Sequence, residues 1–444
     1  MTPNYPPPTE TVKSRNPTVS EDVSRNVDRS RILGIDVLRG IAILAVVLVH
    51  IPHHAHGGWR NHLFFLPSFF IGFGYLGVPL FVTISGFCIH RRIAFSGAPR
   101  RMSGGEWRTF WKRRFLRLYP PYVAAMIFSV LIAYYLGTPL SKEGTFWGDV
   151  LTHTLLIHNL THEYSGGMGN GAFWSLGMEE QLYALYPILL WIWYRYSTAA
   201  AISTAVAISV TWIMLIPVFD GWKYGFNGLH LGNTNLWPWA YWMPWALGAL
   251  AAEAAARRVQ LNPVWYSGRL AWGLIAIGII GSERSFTFFE NVSSIPVSFT
   301  HLLKSQELSV KLIHQVAHIC FLVSFFIFMN RAADPAGATH SHGLTVSLFA
   351  RLGIVSYSIY LTHIPLLNCL ERAGLYEKLT SFDYSLRFVI SLPLVLLLGI
   401  AFFYFIERRW LPKPESQSRN STELFHNSKA LSNERLSVAE PTLH

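Results

Sequence analysis

Charge is scarce in this chain. Asp, Glu, Lys and Arg supply 14% of its 444 residues, against about 25% in ordinary soluble domains, too little to coat a soluble globule of this size. Cysteine is scarcer still. Cys88, Cys320 and Cys369 fall in or beside apolar runs without ligand spacing, which excludes a disulfide framework or a zinc cluster and leaves them as packing residues. No internal repeat relates the two halves, so the inverted-repeat signature of many transporters is missing. No apolar run precedes residue 31, so a cleaved signal peptide is not expected. The formal net charge is +11, yet no single domain concentrates it. Basic residues flank hydrophobic runs instead, which speaks against nucleic acid as a partner and for positive-inside membrane topology.

What the chain has in abundance is apolar length. Hydrophobic residues make up 51% of it and Trp occurs 16 times, and repeated runs of about 20 apolar residues read as membrane-spanning helices. Apolar windows centre on 33–50, 69–89, 115–137, 145–160, 173–194, 198–218, 236–256, 267–281, 312–330, 352–370 and 385–406. Lys and Arg fall on one side of the membrane only if 145–160, which carries Asp149, His153 and His158, is re-entrant or interfacial. The expectation is an all-α polytopic protein of the cell (cytoplasmic) membrane, a bundle of about ten transmembrane helices with both termini cytoplasmic. Residues 1–30 and 412–444 read as polar disordered tails, flanking a membrane domain over 31–411.

Four constellations could carry chemistry. In RILGIDVLRGIAILAVVLVH, Arg39 and His50 sit inside an apolar helix, where ionisable groups are costly and functional by default. Eleven residues separate them by about 16 Å and return them to within roughly 20° of one helical face. A histidine there can take a proton from an attacking hydroxyl; the bland alternative is that Arg39 snorkels and His50 marks the helix end. Asp36, one turn below Arg39, is expected to pair with it.

The second constellation is the cationic stretch from Arg91 to Arg117. Arg91, Arg92, Arg100 and Arg101 read as ordinary positive-inside residues. Arg114 and Arg117 share a helical face, and their guanidinium forks suit phosphate oxygens. The third is GAFWSLGMEEQLYALYPILLW, where Glu179 and Glu180 head a span. One is expected to favour the helix N-terminus, and the other to lie level with His50 and orient it or share its proton. The fourth is LGIVSYSIYLTHIPLL, with Ser356, Tyr357, Ser358, Tyr360 and His363 inside a span, where hydroxyls commonly join helices and a histidine is usually packed. His53, His54, His56 and His62 lack acidic or thiol partners at ligand spacing, so no metal is expected.

IDVLRGIAILAVVLVH, GYLGVPLFVTISGF, RRFLRLYPPY, WSLGMEEQLYALYP and SYSIYLTHIPLL, in this order, resemble the acyltransferase-3 family of integral membrane acyltransferases over residues 31 to 410. Its Arg/Lys, ten residues, His pattern falls on Arg39 and His50, its Arg-x-x-Arg on Arg114 and Arg117, and the Glu of its Trp-Ser-Leu-x-x-Glu on Glu179. The resemblance implies transfer of an acyl group, most often acetyl, from cytoplasmic acyl-CoA to a hydroxyl of an extracytoplasmic glycan or, in some members, a small molecule. His50 and Glu179 are then the catalytic pair, and Arg39, Arg114 and Arg117 hold acyl-CoA. Asp36, Glu180, Ser85 of the second motif, Tyr360 and His363 support them. The family usually has Asp after Gly-Val in the second motif; here Pro79 follows Val78. The C-terminal esterase-like domain of some relatives is not expected. A secondary transporter or flippase of an acylated or anionic substrate would also explain intramembrane charge.

Overall fold

The computed structural model describes residues 32–51, 69–96, 102–140, 144–221, 234–285, 308–334, 343–374 and 384–411. Both polar tails, the His53 to His62 cluster, Arg100 and Arg101 lie outside them. Among the described residues the regular structure is helical: α1 (Leu33–His50), α2 (Gly77–Ala94), α3 (Gly104–Leu136), α4 (Phe146–Thr154), α5 (Trp174–Arg195), α6 (Thr198–Gly221), α7 (Pro238–Ala255), α8 (Gly268–Ile280), α9 (Leu308–Ala333), α10 (Leu344–Arg372) and α11 (Tyr384–Phe405). Among the described residues, seven helices are long and apolar enough to cross a membrane: α1, α2 with its lead-in from Phe69, α3, α6, α9, α10 and α11. The protein is therefore a multi-pass integral membrane protein.

The remaining three expected spans differ for physical reasons. α5 carries Glu179 and Glu180 inside it, α7 is rich in Trp and Pro, and α8 has only 13 residues. α7 is hydrophobic on all sides and buried along nearly its whole length, which marks it as the core element of the bundle rather than a lipid-facing one. Helix α3 starts 11 residues before its apolar window. Ser103 caps it and Glu106 reaches back to the Ser103 backbone N–H, a capping box that carries the helix out past the hydrophobic zone. It stops at Gly137, whose φ of 65° is a left-handed cap.

Two close helix crossings set the geometry of the interior. A Cβ at Gly40 would lie 2.0 Å from the Phe349 carbonyl oxygen, and one at Gly353 would lie 1.9 Å from that of Asp36. Small residues thus bring α1 and α10 into backbone contact, as in membrane helix pairs generally. The two run in the same direction, since His50 meets His363 further along both. Gly86 and Gly248 do the same for α2 and α7. Segment 145–160 contributes the nine residues of α4, about 13 Å of helix, and a separate 3-10 turn at His158–Leu160, too short for a hydrocarbon core of about 30 Å. It packs into the bundle instead, with Tyr119 and Tyr122 of α3 donating to the carbonyls of Thr154 and His153.

Candidate functional site

The interior of the bundle holds a cavity of about 120 Å³ whose walls come from α1, α2, α3, α5, α10 and the turn after α11. Arg39, Arg114 and Arg117, expected as a cationic group, all line it, together with Ser85, Glu179 and Tyr360. Two helices explain the convergence. Arg114 and Arg117 share one face of α3, and Arg39 turns inward from α1 because Asp36 holds it at 3.5 Å, as its spacing suggests. The other Arg39 contact is one that sequence reasoning missed: Nη2 donates to Cys88 Sγ at 3.2 Å. Cys88 is thus a lining residue of the site and not merely packing.

Glu179 stands on the opposite wall. Its Oε1 accepts from Ser85 Oγ at 2.6 Å and from the Tyr183 hydroxyl. This corrects one expectation. Helix α5 begins at Trp174, so neither Glu179 nor Glu180 is in its first turn, and the helix-terminus role assigned to one of them does not hold. These hydrogen bonds place Glu179 at the arginine-lined cavity, on contacts separate from those of His50. A second carboxylate joins it there. Glu407, 3% exposed in the turn Glu407–Trp410, accepts from Ser358 Oγ at 2.5 Å and also lines the cavity. Its signal was an acidic residue directly before Arg408 and Arg409, masked by their ordinary topological role. The three guanidiniums are matched in number by Glu179, Glu407 and the Asp36 that pairs with Arg39, so the site suits phosphate oxygens through the forked geometry of Arg114 and Arg117 and not through a surplus of positive charge.

His50 lies outside this cavity, at the far end of α1, where it is exposed. Its neighbour is His363: the ring centroids are 5.0 Å apart and the planes are inclined at 65°. Both rings have a defined tautomer when neutral. His50 Nδ1 lies 2.7 Å from the Val46 carbonyl and His363 Nδ1 lies 2.7 Å from that of Tyr360. A carbonyl only accepts, so each Nδ1 carries the proton and each Nε2 keeps a lone pair. His363 is fully buried and its Nε2 has no partner among the described residues. Tyr360 connects the two regions. It lines the cavity, its ring lies 5.5 Å from that of His363, and its hydroxyl bonds Ser175 Oγ at 2.6 Å and the Ala172 carbonyl at 2.8 Å. The fourth motif otherwise behaves as expected of intramembrane hydroxyls, Tyr357 donating to the Leu118 carbonyl at 2.9 Å.

Packed against α3, helix α4 and the turns after it form a cap. Asp149, His153 and His158 are fully buried there, with His153 Nδ1 3.1 Å from Asp149 Oδ1 and the two imidazoles stacked at 3.8 Å. Burial, and then the neighbouring His153, push the His158 pKa down to about 3. Another buried polar set escaped notice in the sequence: His90 Nε2 lies 2.7 Å from Glu253 Oε1, with Tyr186 on its other nitrogen at 3.0 Å. It locks α2, α5 and α7 together at the arginine-bearing end. Among the described residues, no group of three or more His, Cys, Asp or Glu is arranged to hold a metal ion.

This arrangement coincides with a known sequence pattern, since the acyltransferase domain model matches residues 32–404. The chain belongs to the acyltransferase-3 family. It is 25% identical over 177 residues, 38% of its length, to the peptidoglycan O-acetyltransferase OatA of Listeria monocytogenes, and 27% identical over 172 residues, 37% of its length, to the acyltransferase MdmB of Streptomyces mycarofaciens. These matches span 25% and 40% of those two proteins. A putative acetyltransferase of Acidianus two-tailed virus is 24% identical over 348 residues, 76% of this chain and 84% of the relative. No solved structure matches the chain.

Proposed function

We propose that this acyltransferase-3 member moves an acyl group, acetyl in the first instance, from cytoplasmic acyl-CoA to a hydroxyl of an extracytoplasmic glycan or small molecule. The observation that carries the reading is the polarity of the path: a cavity with Arg39, Arg114 and Arg117 at one end of α1 and the His50–His363 pair at the other. The arginines hold the phosphates of the donor, and its pantetheine arm runs toward Tyr360 over a distance comparable to the rise of about 16 Å between Arg39 and His50. At the far end His50 Nε2 accepts the proton of the acceptor hydroxyl as its oxygen attacks the thioester carbonyl. The carbon–sulfur bond breaks, and the departing thiolate takes up that proton to leave free CoA.

The same reading places ten spans in the membrane with both termini in the cytoplasm. Ser85 meets Glu179 and His90 meets Tyr186, so α2 and α5 run in one direction. A single crossing, α3, therefore separates them, in keeping with an α4 that does not cross. The membrane itself is then the cell membrane, the arginine-bearing end its cytoplasmic face.

Purified protein in detergent, offered labelled acetyl-CoA with and without hydroxyl acceptors, tests the function. We expect label to be transferred or hydrolysed, which a transporter or flippase would not do. His50→Ala should reduce turnover by about a hundredfold or more while the protein still inserts and folds; a variant with full activity would refute the role of His50. Mass spectrometry of the host's surface glycans and secreted small molecules, with and without the protein, identifies the acceptor.

A further inference from the structure

A second cavity, of about 300 Å³, adjoins the first between the end of α2 and the start of α3. The two chambers share Cys88, Ile89 and Arg114, so Arg114 stands in their common wall. By sequence alone Arg92 is an ordinary positive-inside residue and Arg113 carries no particular role. Both line this outer chamber. Its one carboxylate, Glu106, is engaged by the capping box, its Oε2 accepting from the Ser103 backbone N–H at 2.9 Å and hydroxyl at 3.0 Å. With three guanidiniums against that one carboxylate, the described lining keeps a net positive charge on its Arg92–Arg113–Arg114 side. Its other side is aromatic: the Phe110 and Tyr186 rings lie 5.6 Å apart, and the Arg114 guanidinium sits 6.0 Å over Phe110. The Arg114 Nε is buried and lacks a hydrogen-bond partner among the described residues.

Resting on the donor reading above, we propose that the outer chamber is a nucleotide subsite that recognises the ribose 3′-phosphate of CoA through Arg92 and Arg113. The inner cavity is too small to enclose a whole acyl-CoA and offers the narrow walls that an acylated arm needs. The outer one offers the Phe110 ring, inclined at 38° to Tyr186, as an apolar side for a purine, and two guanidiniums, beyond the one at the junction, for a phosphate dianion. Arg114 at the junction then meets the pyrophosphate, where nucleotide and arm join. Arg92 and Arg113 are exposed, so they are free to be replaced without disturbing the bundle.

Acetyl-CoA and acetyl-dephospho-CoA, which lacks only the 3′-phosphate, separate this subsite from donor binding at large. The full enzyme should use acetyl-CoA with kcat/KM about ten- to a hundredfold above the dephospho donor, the difference lying in KM. The double variant Arg92→Gln, Arg113→Gln should lower acetyl-CoA to the dephospho level and leave the dephospho donor unchanged. Adenosine 3′,5′-bisphosphate should compete with acetyl-CoA more strongly than 5′-AMP, and lose that advantage in the double variant. Equal use of both donors by the wild type, or equal impairment of both by the double variant, would overturn the subsite alone. Turnover of neither thioester by the wild type would overturn the donor reading and the subsite with it.

Discussion

Arg39 shows how far a single position can be read. Its burial in an apolar run marked it as functional, Asp36 at three residues supplied its partner, and both features survive in three dimensions. Cys88 shows the limit. A thiol in a hydrophobic span looks like packing until another helix brings a guanidinium to it at 3.2 Å. Glu179 was legible as a site residue but not as to its contacts. Its distance from His50 depends on where α5 starts and how it tilts, and local spacing encodes neither. The arginines allow a direct check on the donor. Replacing Arg114 and Arg117 by Gln should raise KM for acetyl-CoA about tenfold or more while the acceptor KM stays within twofold, about the noise of such constants. Steady-state kinetics with each substrate varied in turn decide it, and a change confined to the acceptor would remove the phosphate assignment.

At the scale of elements, the capping box of α3 and the glycine contacts of α1 with α10 account for where the arginines and the histidines end up. The capping box was open to reading from Ser103 and Glu106; the glycine contacts were not, because only the facing helix shows that a Cβ has no room. The α4 cap carries its own prediction. His158 stays uncharged in the folded cap down to about 3, held so by burial and by His153, whereas an unfolded chain protonates it near 6.5. Between about 6.5 and 3 the unfolded state therefore binds a proton that the folded state excludes. Stability must fall as pH falls through that window, by about 1.4 kcal/mol per pH unit. Thermal unfolding in detergent at pH 7.5 and 5 should show a smaller acid loss for His158→Phe than for the wild type; an identical loss would place the acid-sensitive group elsewhere.

For the molecule as a whole, the proposed ten spans put residues 1–30 and 412–444 on the same, cytoplasmic side. Protease added to sealed right-side-out and inverted vesicles should cleave epitope tags at both ends only in the inverted ones; tags on opposite sides would exclude an even number of spans. Apolar run length and the distribution of Lys and Arg sufficed to show a multi-pass helical membrane protein, because the bilayer imposes both on the chain itself. The spacing of Arg39, His50, Arg114 and Arg117 likewise came from helical periodicity, a local property of the backbone. Tertiary structure alone decided which groups meet. It set Glu179 on Ser85 and Tyr183, His50 on His363, Glu407 among the arginines and Arg92 and Arg113 on the walls of one chamber. Such contacts follow from crossing geometry and close approach between helices far apart in the chain, and no local pattern in one helix records its distance to another.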